Sequence, residues 1–65
     1  MDALKWKNKE TKEWIDENIA YESWQMNGDS IMVDQKYIEP ITNIMQRKGY
    51  DKSDFEVINR WVEMN

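Results

Sequence analysis

Sixty-five residues without a cysteine or a histidine carry 13 acidic against 9 basic side chains, a net charge of −4. That composition excludes disulfide staples, thiolate or imidazole zinc sites, and catalysis by Cys or His. A chain this short has the size of one domain, with a core that rarely supplies more than about 3–5 kcal/mol.

In chain order, residues 1–7 set Leu4 and Trp6 between lysines. This loose alternation fits a short edge strand, a frayed helix start or a flexible arm. Asn8 is the expected N-cap of a helix over Lys9–Ile19, with Glu10 favourable in its first turn. Trp14, Ile15 and Ile19 would form its inner face, and Glu10, Glu13 and Glu17 its outer one. Two β-favouring runs, 21–26 and 29–33, then flank Asn27-Gly28, a strong short-range hairpin signal. A two-residue Asn27-Gly28 loop would set Trp24 opposite Ile31 and Glu22 opposite Val33. A continuous helix over 9–26 is the rival, but its apolar residues scatter around the wheel.

Pro40 lies within a helical-period pattern of Tyr37, Ile38, Ile41, Ile44 and Met45. Because proline suits the first turn and is costly inside, the firm helix is expected to start at Pro40, after a turn over Gln35–Glu39. If Asp34 caps a longer helix, that helix should bend at Pro40. Lys48 would end it, with Gly49 as the C′ residue and Tyr50 making the C″ contact. In Ser53–Met64, Phe55, Val57, Ile58, Trp61, Val62 and Met64 share half of a helical cylinder, and Ser53 with Glu56 matches a capping box. This stretch is the expected core helix.

These elements predict a small α+β domain over residues 1–65, in the order helix, β-hairpin, helix, helix. An all-α three-helix domain is the alternative. The expected core is Ile15, Ile19, Trp24, Ile31, Val33, Ile41, Ile44, Phe55, Ile58, Trp61 and Val62.

For function, the serines have no triad partner and neither glycine belongs to a phosphate-cradling loop, so no enzyme, metal or cofactor is expected. Glu10, Glu13 and Glu17 read as a solvated helix face. No long apolar run suggests a signal peptide or membrane span, and a cytoplasmic location is expected. Lys5-Trp6-Lys7-Asn8-Lys9 interleaves charge with an aromatic as single-strand binders do. With Arg47-Lys48 and Lys52 it forms the nucleic-acid alternative. The two final helices resemble a helix-turn-helix, but Asp54, Glu56 and Glu63 would face the phosphates with the wrong sign.

Residues 13–34 hold six acidic and no basic side chains. The carboxylates from Glu10 through Asp34 support a second alternative, a DNA mimic that blocks a nucleic-acid-binding protein. The leading expectation is a protein-binding module with a larger, basic or mixed partner, since aromatics and Met are enriched at interface centres. The expected contact residues are Glu13, Glu17, Tyr21, Glu22 and Met32. If the hairpin lies at a sheet edge, strand addition to a partner chain or to a second copy is a further route, and a homodimer is a further expectation. In size and composition, though not in motif, the chain resembles the accessory and host-modulating proteins of bacteriophages. That resemblance implies a regulator or inhibitor that masks a surface.

Overall fold

A computed structural model describes residues 1–59. In chain order the elements are β1 (Asp2–Trp6), α1 (Lys9–Asn18), a 3-10 turn (Ser23–Gln25), β2 (Met26–Asn27), β3 (Ser30–Val33), α2 (Gln35–Arg47) and β4 (Phe55–Asn59). The strands form one antiparallel sheet in the order β2-β3-β1-β4. Leu4, Ile31, Val33 and Phe55 from the sheet meet Ile15, Ile38 and Met45 from the helices in a single buried cluster. Both helices therefore cover the same face. With β1 lying between β3 and β4, this is the split β-α-β ordering of ferredoxin-like domains. The domain is α+β as the sequence predicts, but its arrangement differs.

The helix ends follow local chemistry. Asn8 accepts hydrogen bonds from the Thr11 backbone N–H at 2.9 Å and the Thr11 hydroxyl at 2.8 Å, satisfying that fully buried side chain. Asp34 caps α2 by accepting from the Lys36 N–H at 3.1 Å, so the helix starts five residues before Pro40. The Gln35–Glu39 segment expected as a turn is helical. Proline inside a helix costs about 3 kcal/mol and leaves the carbonyl four residues earlier without its donor. Burial of Ile38 and Met45, on either side of Pro40, offsets that cost. At the other end Gly49 adopts φ +102°, its N–H bonds the Gln46 carbonyl, and the Tyr50 N–H reaches the Met45 carbonyl. This is the expected glycine-terminated cap, and Tyr50 packs against the core with its ring 6.0 Å from that of Trp14.

Three further sequence expectations are corrected. Residues 2–6 are an inner strand, with Ala3 and Leu4 buried between β3 and β4. The hairpin exists, but its loop is Gly28-Asp29, and the pairs are Met26 with Ile31 and Asn27 with Ser30. Gly28 takes φ +64° while no other loop residue needs a positive φ, so the glycine serves best as the first loop residue. Ser23–Gln25 turns away as a 3-10 helix, which removes Trp24 from the ladder.

The third correction concerns the expected core helix, which is strand β4 over Phe55–Asn59 and pairs with β1 along its length. Period-2 alternation puts Phe55 and Val57 on the helix side and Glu56 and Ile58 on the other. Pairing with β1 supplied what the isolated pattern could not weigh. Instead of a capping box, Ser53 donates its N–H and hydroxyl to Asp51 in the turn before β4. Of the expected core, Trp24 and Ile44 are exposed, Ile19 and Ile41 are half-buried, and Trp61 and Val62 lie outside the described residues. Leu4, Ile38 and Met45 take their places.

Candidate interaction surface

Asp16 organises the segment that follows α1. Its carboxylate accepts the Lys12 ammonium at 2.6 Å and the Tyr21 hydroxyl. Lys12, and after it Tyr21, hold the Asp16 carboxyl below the usual carboxylate range. The same carboxylate raises the pKa of Lys12 and of Tyr21. These contacts tie residue 21 back to the helix surface.

Glu22 then opens the 3-10 turn, its carbonyl accepting from the Gln25 N–H at 3.0 Å while Gln25 Oε1 accepts from the Glu22 N–H at 2.8 Å. The Gln25 amide also donates to the Met32 carbonyl at 2.9 Å, pinning the turn to β3. With both ends of Gln25 engaged, Trp24 projects outward at 67 % exposure.

Across from it, Tyr37 in the first turn of α2 is 55 % exposed, with the Lys36 ammonium 5.3 Å from its ring centre. Trp24, Tyr37, Met1, Ile19, Pro40 and Ile41 wall a groove of about 340 Å³, and Asp34 lies on its border. That volume suits one aromatic or two aliphatic side chains. Exposed aromatics on a pinned turn and a capped helix present rigid apolar area at little entropic cost.

The five contact residues expected from sequence do not form one surface. Glu13 and Glu17 are exposed on α1, Tyr21 is half-buried against the core, and Glu22 is the turn cap beside Trp24. Met32 sits on the sheet face away from the helices, paired with Ala3. The sequence pattern places Trp24 in the core and does not bring it beside Tyr37, because that proximity follows from tertiary packing alone. The Glu22-x-x-Gln25 spacing was the available signal, since it matches the logic of a capping box.

Three of the lysines, Lys5, Lys7 and Lys12, make polar contacts within the fold. Trp6 packs against the core beneath the Lys12 ammonium, Lys5 is 3.8 Å from Asp29, and Lys7 donates to the Lys52 carbonyl at 2.7 Å. On the sheet face away from the helices, the described residues of β1 and β3 are Ala3, Lys5, Ser30 and Met32, with Ala3 and Ser30 buried and none of the four an aromatic of the kind on which sheet-type RNA binders stack bases. Among the described residues no three acidic side chains converge into a metal-binding group. No helix among them is long and apolar enough to cross a membrane. Comparison of the chain with known protein families, curated proteins and solved structures finds no match.

Proposed function

We propose that this chain is a small protein-binding module, a regulator or inhibitor that masks a surface of a larger partner. The observation that supports this reading is the pair Trp24 and Tyr37, held exposed on either side of an apolar groove. An apolar side chain of the partner enters the groove, and Trp24 and Tyr37 close over it as anchors. Asp34 at the border, with Glu22 and Glu39 exposed on the flanking elements, outweighs the single Lys36 beside Tyr37 and favours a segment flanked by basic residues, speeding its approach.

The test is affinity capture from a nuclease-treated bacterial lysate with the wild-type chain and with Trp24→Ala and Tyr37→Ala. The expected result is one protein retained in stoichiometric amount by the wild type and lost from both variants, whose melting temperatures stay near that of the wild type. Retention by both variants would move the site away from the groove. Capture that vanishes on nuclease treatment would favour nucleic acid over protein as the partner.

A further inference from the structure

We propose that β4 is a self-association edge, pairing antiparallel with β4 of a second copy of this chain about a two-fold axis at Val57. Among the described residues β4 pairs only with β1. The Lys7 N–H donates to the Asp54 carbonyl at 2.8 Å, which makes residues 7 and 54 a hydrogen-bonded pair. Antiparallel alternation then points the backbone groups of Glu56 and Ile58 at β1. The Val57 N–H and the Phe55 and Val57 carbonyls point outward, while the Phe55 N–H is taken by the Asp51 carbonyl at 3.2 Å.

Proteins usually blunt such edges with short strands, proline, bulges or charge. The opposite edge of this sheet follows that rule, for β2 has two residues. By contrast β4 has five, with β-branched Val57 and Ile58 and a single charge at Glu56. Its helix side is also incompletely covered. Val57 is 37 % exposed beside a cleft of about 530 Å³ lined by Tyr50, Phe55, Gln46, Lys7 and Lys52.

The register favours a second copy as the occupant. A two-fold at Val57 sets the two Val57 side chains against each other, each covering the other's exposed side. Phe55 falls opposite Asn59, and Glu56 falls opposite Ile58, so no like charges stand directly across the new ladder. Lys7 and Lys52 in the cleft are balanced by Asp51 and Glu56, so apposed clefts carry no net repulsion. The two Glu56 carboxylates sit on a diagonal, about 7–8 Å apart at the backbone, and oppose pairing mildly. The Trp24–Tyr37 groove lies toward β3, so this pairing and the proposed function stand or fall separately.

The experiment is sedimentation equilibrium of the full chain over a wide concentration range, with residue-resolved amide exchange. The expected result is a reversible dimer in which Val57 amide exchange slows about tenfold or more as concentration rises. The Glu56 and Ile58 amides, already bonded to β1, should be protected at every concentration. Val57→Pro removes the outward N–H at a position where an edge strand tolerates proline, and should be monomeric. Val57→Lys keeps that N–H but opposes two ammonium groups, and should weaken association about tenfold or more while retaining the native circular dichroism. Glu56→Gln should strengthen association. A wild-type chain that stays monomeric throughout would overturn the proposal. So would a dimer unaffected by a folded Val57→Lys, or concentration-independent Val57 exchange. Capture of an extended peptide along β4 by a chain that never self-associates would assign the edge to a different occupant.

Discussion

β1 and the segment Ser23–Asn27 are both five-residue stretches that mix polar and apolar residues around one tryptophan, and they meet opposite fates. Leu4 is fully buried and Trp6 half-buried in β1, whereas Trp24 is two-thirds exposed on its turn. Hydrophobicity does not separate them, since the second stretch holds Trp24 and Met26. Position in the sheet does. β1 has a strand on each side and a helix layer over one face, so its side chains are surrounded whatever their neighbours in sequence. The second stretch reaches the sheet only at its edge, through Met26 and Asn27, and its 3-10 turn holds the tryptophan away from the core. One stretch stabilises the fold, and the other is stabilised by it.

This contrast can be broken most forcefully at Leu4. Leu4→Ala should cost about 3 kcal/mol, comparable to the whole net stability of a domain this size, and leave much of the chain unfolded in urea titrations at room temperature. A loss below about 1 kcal/mol would mean that β1 is not the mechanical centre. Gln25→Ala tests what holds the turn. It removes the acceptor for the Glu22 N–H and the donor to the Met32 carbonyl, and should cost about 1 kcal/mol. Faster amide exchange confined to residues 22–26 is the expected signature.

Acid should loosen the segment after α1 and the turn before β4. Asp16, through Lys12 and then Tyr21, and Asp51, through Ser53, are held below the usual carboxylate range. A carboxylate whose folded pKa lies below its unfolded value of about 4 stabilises the fold above that value. The contribution fades as pH falls through the lower folded value. Both groups are solvent-exposed, so the effect is small. The melting temperature should drop slightly more between pH 5 and 2 in the wild type than in Asp16→Asn.

Trp24→Ala should have the smallest effect on stability, within about 0.5 kcal/mol, because its ring contributes little to the core. A melting temperature lowered as far as that of Leu4→Ala would erase the distinction between the two stretches.

The elements legible in the sequence were those governed by neighbours along the chain. Asn8 caps α1, and Gly49 and Tyr50 terminate α2 with the expected hydrogen bonds. Asn27-Gly28 announced a hairpin, although its loop slipped by one residue. The misread elements were those whose identity depends on distant partners. Phe55, Val57 and Ile58 fit a helical stripe when followed by Trp61 and Val62, and fit a strand once β1 is alongside. The candidate groove needed tertiary contacts too, because Trp24 and Tyr37 come from different elements. The caps, the turns and the α+β character thus follow from hydrogen bonds and dihedral preferences within a few residues of the chain. That the first residues form an inner strand, that β4 is a strand and that Trp24 faces solvent came only from long-range packing. Those outcomes depend on which surfaces remain to be covered once the sheet has assembled.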